Sequence, residues 1–582
     1  MLEKKDFVKL TQSQLSLWTG QKLSATSPIY NMAHSFELNG RINTEYFQKA
    51  FKVLIQNVDV LRTIFMEKNG IPWQSVLETY DYEFEILDFS NKTILEIQTY
   101  LTQRSQVSFD FSIPPFDSIL IKESEEKYIW FLNVHHIITD ATTSTLFLDY
   151  LTRFYSQQLD ESINNQFTIE QYRDYIDFEQ KASAKESNNK YKEYWTSKLD
   201  LLKSPIHLYG EKNDKKETRS ERITLKLDLE TSEAIRKLAL QKEIRQWTLD
   251  LTLFNLFLAT FFVYIYKASG QSKLAIGAPI HNRLSKKFKQ TPGLFIEVFP
   301  IIGQIQDDDT FLKVFNRIKL ETNEYLRNAQ PGLMNLDLNR NISIILNYIK
   351  ASFSDFAGIE TKSRWIHPGH SDPGHQMRCT VYDIDGSGEF ELMFDLNKSV
   401  FDSSLLKKVP QHFLFTLEAL LTNINMPIDD LSLADKMSLQ PIIKDDSNDF
   451  ISLAHQFETQ VKNRPDSIAI CYKDSEFSYR DLNKQVNQLA HYLRSKKIKT
   501  DDTIAIHLKR SPEYIIAVLA CLKMGVTFVP IPSNQAEKRI RFILKDSESK
   551  LLITKKDVSK NDFTTTIETL SLIHISEPTR PY

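Results

Sequence analysis

The sequence predicts a mixed α/β protein made of a long two-part region followed by a smaller α/β unit. Three observations predict this. Up to about Ser432, helix-spaced apolar stretches alternate with strand-like ones. The patterning then breaks across the polar, charged run "ADKMSLQPIIKDDSND", Ala434 to Asp449. Beyond that run, strands alternate with helices again, the signature of a parallel sheet.

Each element follows from its own pattern. "AHSFELNG" (33–40) and "YEFEILDF" (82–89) read as strands and "TEYFQKAFKVLIQ" (44–56) as a helix. "YIWFLNV" (128–134) is an apolar strand run, and "TDATTSTLFLDYLTRFY" (139–155) opens a helix. After the helix-forming "NNKYKEYWTSKL" (188–199) and the charged loop "YGEKNDKKETRSE" (209–221), alternation resumes with "RITLKLDL" (222–229) and "KLAIGAPIHNR" (273–283). Between them lies "LTLFNLFLATFFVYIY", Leu251 to Tyr266, which is short of the ~20 residues a membrane span needs and carries Asn255, so it reads as a buried core helix. In the last unit "SIAICY" (467–472), "TIAIHL" (503–508) and "VTFVPI" (526–531) are the strands.

At 582 residues the chain exceeds the size of a single growing core, which predicts three or four compact units. The boundaries fall at 1–185, 186–433, a linker at 434–450, and 451–569. The closing "LSLIHISEPTRPY" matches nothing before it, so 570–582 reads as a non-native tail. A net charge of -3 on 72 basic and 75 acidic residues offers no field for nucleic acid or an anionic membrane. Cys379, Cys471 and Cys521 are too far apart for metal or redox spacing, and the N-terminus carries no signal-like apolar stretch, which together predict a cytoplasmic protein.

The chemistry-bearing stretch is "HHIITDA", His135 to Ala141, at the end of the apolar strand run. Successive side chains of an extended chain face opposite ways, so at most one of the two imidazoles enters a given pocket. Asp140 stands where a helix begins, and an N-cap explains it without any catalysis. A metal needs three or four convergent ligands, and none accompany this stretch. "HPGHSDPGHQ", with His367, His370 and His375, reads as a solvated loop from its prolines and glycines. The residues alone leave these readings open.

Over roughly Lys9 to Leu433 the sequence resembles the condensation domains of non-ribosomal peptide synthetases. "HHIITDA" matches H-H-x-x-x-D-G, with Ala141 for glycine; "TQSQLSLW" keeps Gln14, Leu17 and Trp18 of S-x-A-Q-x-R-L-W; and "VLRTIF" keeps Arg62. "YRDYIDF" resembles Y-x-D-Y-x-x-W, with Phe178 for tryptophan, and the segment from Ile276 ends like I-G-x-F-V-N-x-L. Two later motifs, at "NAQPGLMNLDL" and "RNISIILNY", are poorly kept. From Ile451 the chain resembles the start of an adenylation (AMP-binding) domain, with "FSYRDLN" and "LKMGVTFVPI" as its fold-building motifs.

The resemblance implies two chloramphenicol-acetyltransferase-like lobes in a V, with a histidine where two tunnels meet. It implies no bound cofactor and no metal: donor and acceptor thioesters arrive on phosphopantetheine arms of carrier proteins, and the acceptor amine takes the acyl chain. Because Met1 stands almost directly on the first condensation motif, the donor is expected to come from another polypeptide. His136 is then the catalytic residue, as base or amine-orienting group, with His135 structural and Asp140 fixing the turn. Arg283 is the implied ion-pair partner of Asp140. Arg62 either sits near the site or is an ordinary exposed arginine. Ala141 narrows the passage slightly and so bears on donor selectivity. The phosphate loop and catalytic lysine of the adenylating family are missing from the residues after Ile451, so no adenylation by this chain is expected. Two other functions fit the motifs: an idle domain that only recruits carriers, and a coenzyme A acyltransferase independent of carriers.

Overall fold

The computed structural model describes residues 6–160, 167–183, 188–199, 206–210, 217–333, 342–350, 353–383, 388–433, 452–554 and 568–571. The chain divides into two compact units, one running to Leu439 and one starting at Gln440.

The first unit holds two large sheets. The five-stranded one has the order Glu360–Ile366, Asn31–Asn39, Lys127–His135, Phe116–Ser124, Glu85–Asp88. Its strand Lys127–His135 is buried almost throughout because both faces of the sheet are covered, which is why its sequence is nearly continuously apolar. Helices Thr44–Asn57 and Ala141–Leu159 pack together with Trp130, Leu132 and Val134, while helix Ile94–Ser105 places Ile97 and Leu101 against Ile119, Ile129 and Phe131 on the other face. "YEFEILDF" contributes only the four-residue edge strand Glu85–Asp88.

The six-stranded sheet has the order Ile296–Gln304, Lys273–His281, Ile344–Ile349, Met377–Asp383, Phe390–Asn397, Ser220–Lys226. Helix Leu249–Ser269 runs through its core, and Phe257, Phe261 and Phe262 are at most 1% exposed. Each such side chain contributes roughly 1.5–3 kcal/mol of burial. Among the described residues this is the one helix long and apolar enough to cross a membrane, but 72% of that stretch is buried inside the protein, and Asn255 accepts a 2.7 Å hydrogen bond from Thr322. Gly270 ends it at φ 70°, a left-handed cap that glycine adopts without strain.

Glu360–Ile366 belongs by sequence to the second half, yet it pairs with Asn31–Asn39 over seven residues, from Glu360 opposite Asn39 to Ile366 opposite Ala33. This crossing strand ties the lobes together.

In the second unit Thr527–Pro530, Thr503–His507, Leu551–Thr554 and Glu568–Ser571 form a parallel sheet. Leu482, Val486, Leu489 and Leu493 line one face of helix Tyr479–Ser495 and bury it in this unit's core. "SIAICY" departs from expectation: Ile468–Tyr472 pairs antiparallel with Ser475–Ser478 in a separate hairpin. Its apolar residues remain half-buried or exposed, so alternation alone did not place it in the main sheet. The expected linker at 434–450 lies outside the described residues, as does the tail beyond Ser571, and strand Glu568–Ser571 carries the fold two residues into that tail.

Candidate active site

Strand Lys127–His135 stops at His135, and a 3₁₀ turn, His136–Ile138, leads to Asp140, the N-cap of helix Ala141–Leu159. The turn parts the two imidazoles. His135 is 1% exposed: its Nδ1 accepts from Ile137 N at 3.1 Å, so its Nε2–H donates to Gln21 Oε1 at 3.1 Å. Phe111 and Tyr30 meet the ring edge-on. Burial pulls its pKa down to about 3, so His135 is a neutral brace for the strand end.

His136 has the opposite tautomer. Its Nδ1 lies 2.7 Å from Thr139 O, and because a carbonyl only accepts, Nδ1 carries the hydrogen and Nε2 keeps a lone pair. The ring is partly exposed and lines a cavity of about 100 Å3 between the two sheets, walled also by Tyr30, Ala141, Val298 and Ile345. Burial lowers its pKa below the usual imidazole value, the Thr139 bond opposes this, and Arg378 adds to the lowering. A neutral imidazole presenting a basic nitrogen to a cavity can accept a proton or orient an amine.

Asp140 is both cap and ion-pair partner. Oδ1 accepts from Thr143 N at 2.8 Å and Thr143 Oγ1 at 2.9 Å, and Phe295 N donates to Oδ2 at 3.2 Å. Arg283 Nη2 reaches both carboxylate oxygens, at 2.9 and 3.0 Å. Arg283 Nη1 donates to Phe288 O and Thr291 O, and the guanidinium lies over Phe295 at 4.0 Å. Burial pushes the Asp140 carboxyl up, but Arg283, His281 and the Thr143 amide together hold it below the usual range. This buried pair, one partner from each lobe, fixes the turn that carries His136.

The motif residues divide accordingly. Gln14, fully buried, donates to Ile137 O and exchanges hydrogen bonds with Gln74, bracing the same turn from helix Gln12–Leu23. Trp18 stacks on Phe111, and Tyr172 OH donates to Leu294 O. Ala141 lies on the cavity wall and packs against the cluster of Ile349, Tyr382 and Met393. Arg62 is not on that wall: it donates to the carbonyls of Ile55, Leu77 and Glu78, tying a helix end to a strand end.

The segment 367–376 is not the solvated loop its composition suggested. His367 and His370 line the cavity beside His136, and only Gly374 is exposed. His367 Nδ1 accepts from Gly369 N, and its Nε2 faces Asp395 at 3.5 Å. His370 Nδ1 lies 3.1 Å from Ser27 Oγ and 2.9 Å from Thr218 Oγ1, and Tyr30 OH donates to Asp372 in a short bond. Prolines and glycines shape the turns, but side-chain anchors hold the segment down. Among the described residues no three His, Cys, Asp or Glu side chains converge as a metal site would require.

Sequence reasoning missed Arg222, Trp365, Arg378 and Asp395, which also line the cavity. A larger chamber of about 600 Å3 lies behind it, and Arg222, Trp365 and His367 border both. Arg222 sits over the Trp365 ring at 4.5 Å, and Trp365 stacks on His34, so the partition is a layered stack reaching from one sheet to the other. Only strand register brings these residues together.

Comparisons with known proteins agree with this geometry. A condensation-domain family model matches residues 4–443, and an AMP-binding enzyme model matches residues 457–579, which includes ten positions of the segment set aside as a tail. Bacitracin synthase 3 of Bacillus licheniformis is 23% identical over 585 residues, covering 96% of this chain and 9% of that protein. Surfactin synthase subunit 1 of Bacillus subtilis is 25% identical over 583 residues, covering 96% and 16%. This chain thus spans a small part of the curated relatives it matches. Among solved structures, the starter condensation domain of rhizomide synthetase, in complex with C8-CoA and Leu-SNAC, has a TM-score of 0.64 at 18% identity, covering 74% of this chain and 98% of that one. A four-domain nonribosomal peptide synthetase bound to AMP and glycine has a TM-score of 0.61 at 16% identity, covering 98% and 45%.

Proposed function

The chain belongs to the condensation-domain family of non-ribosomal peptide synthetases, and from that premise we propose that it forms an amide between two carrier-bound thioesters. An acyl or peptidyl thioester is the donor, and the α-amine of an aminoacyl thioester is the acceptor. The amine attacks the donor carbonyl, the C–N bond forms, the C–S bond breaks, and the donor's phosphopantetheine thiol is released.

The observation that carries this reading is the His136 ring, held with Nδ1–H on Thr139 O, without a hydrogen-bond partner for Nε2 among the described residues, on the wall of a cavity between two lobes. An α-ammonium has a pKa near ~8, so an attacking amine must shed a proton. His136 Nε2 is placed to take that proton or to hold the neutral amine in line. Base assistance is worth ~10²- to 10⁴-fold, while alignment of two tethered reactants supplies roughly 7 to 11 kcal/mol at best. The His136 contribution is therefore secondary to positioning. His135, Asp140 and Arg283 serve the turn that aims His136, and Ala141 shapes the passage. Arg62 supports the first lobe at a distance from the reacting atoms.

We assign the substrates to phosphopantetheine arms of donor and acceptor carrier proteins, with no cofactor resident in this chain, and place the reaction in the cytoplasm. The AMP-binding part contributes no chemistry in this reading. The test supplies the chain with separately loaded donor and acceptor carriers and weighs the acceptor by intact-protein mass spectrometry. An acceptor heavier by the donor acyl group supports the reading; an acceptor of unchanged mass with every loaded pair refutes it.

A further inference from the structure

Three charged residues stand abreast on neighbouring strands of the six-stranded sheet. Arg378 is opposite Asp395, and Asp395 is opposite Arg222, so all three side chains project from the same face. Ile345 continues the row, opposite Arg378 on the far side, and all four residues line the cavity that holds His136.

The row is not balanced. Asp395 gives both oxygens to Arg222, which donates from Nε at 2.7 Å and from Nη2 at 3.0 Å. Burial raises the Asp395 carboxyl, but Arg222 first, then His367 and Arg378, bring it down to about 2, so it is fully charged. Arg378 is left over. Among the described residues its guanidinium has no ion pair and no hydrogen bond, although it carries five N–H donors. The next carboxylate, Asp372, is taken by Tyr30 OH and Gly374 N. Arg222 adds to the surplus, since its Nη1 is buried without a partner.

Arg378 is half-buried with nitrogens still open to water, and Asp372 and Asp395 feel its charge without bonding it, so a substrate anion entering the cavity would replace solvent at a guanidinium free to form charge-assisted hydrogen bonds. A carrier's phosphopantetheine phosphate lies at the far end of its arm from the thioester, so an anion this close to His136 belongs to the acyl group itself. We propose that Arg378 receives a side-chain carboxylate of the substrate, so that this chain joins a residue of aspartate or glutamate type. The planar guanidinium matches a carboxylate in two parallel hydrogen bonds.

This rests on the condensation reading, and two measurements separate them. In the first, the full chain is given carriers loaded with aspartate, asparagine, glutamate or glutamine, each tried as donor and as acceptor. The acid is expected to exceed its amide by about tenfold or more in kcat/KM on one side of the reaction. Arg378→Gln should bring that ratio to about one, and Arg378→Lys should retain part of it. In the second, calorimetry follows binding of amide-linked aspartyl- and asparaginyl-pantetheine. The acid analogue should bind tighter to the native chain and lose that advantage in Arg378→Gln.

Equal rates on acids and amides, or a ratio unchanged in Arg378→Gln, overturn the proposal and leave the condensation reading intact. Absence of condensation with Arg378-dependent binding of the acid analogue does the reverse. Absence of both ends the two together.

Discussion

Removing Asp140 is the perturbation with the largest structural consequence. Its carboxylate is completely buried and accepts from Arg283, from the backbone of Thr143 and Phe295, and from the Thr143 hydroxyl. Asp140→Ala forfeits an N-cap worth ~1 kcal/mol and leaves Arg283, 7% exposed, with neutral partners only: three backbone carbonyls and the Thr143 hydroxyl. An uncompensated buried charge costs about 3–5 kcal/mol, so the total is ~4–6 kcal/mol. Arg283→Met should cost a similar 3–5 kcal/mol by stranding Asp140. The double variant replaces both charges, and its loss should fall short of the sum of the single losses by about 2 kcal/mol or more. Urea unfolding followed by tryptophan fluorescence measures all four proteins. Losses that add to within ~0.5 kcal/mol would show that the pair is not coupled and that Asp140 acts as a cap alone.

Other consequences are checked separately. Isotope-labelled histidine NMR at neutral pH should find His136 as the Nδ1–H tautomer and His135 as the Nε2–H tautomer, with both titration midpoints below the usual ~6.5. Because His135 titrates near 3 when folded, the unfolded chain alone takes that proton as pH falls below ~6.5, and stability is lost on acidification. His135→Asn should flatten that loss by about 1.4 kcal/mol per pH unit between roughly pH 6 and 4; an unchanged slope contradicts the burial argument. Ala141→Gly should keep turnover while changing the order of preferred donors, and an identical donor profile removes Ala141 from the passage. Amino-acid-dependent pyrophosphate exchange should be absent from the 582-residue chain, and its detection would show that the AMP-binding part activates amino acids.

The sequence made local periodicity readable and left lateral register hidden. The buried helix Leu249–Ser269 and strand Lys127–His135 announce themselves because burial on all sides demands continuous apolar residues. Asp140 was readable as a cap because helix starts have a local chemistry, and the family resemblance supplied Arg283 as its partner across 143 positions. The row Arg378, Asp395 and Arg222 carries no such signal, since each is one polar residue alternating with core positions such as Cys379 and Phe394. The segment 367–376 misled for a related reason: proline and glycine report turn geometry, while anchors such as Ser27, Thr218 and Tyr30 lie far away in sequence. Crossing strand Glu360–Ile366 was equally opaque, because a strand's sequence does not name the sheet it joins.

The role of His136 is tested most directly by comparing the native chain with His136→Ala, each given both loaded carriers, in a single-turnover assay read by intact-protein mass spectrometry. Amide formation should fall about 10²-fold or more in the variant, with the melting temperature nearly unchanged because the ring stands at a cavity wall. Native rates in a folded His136→Ala protein would contradict the account.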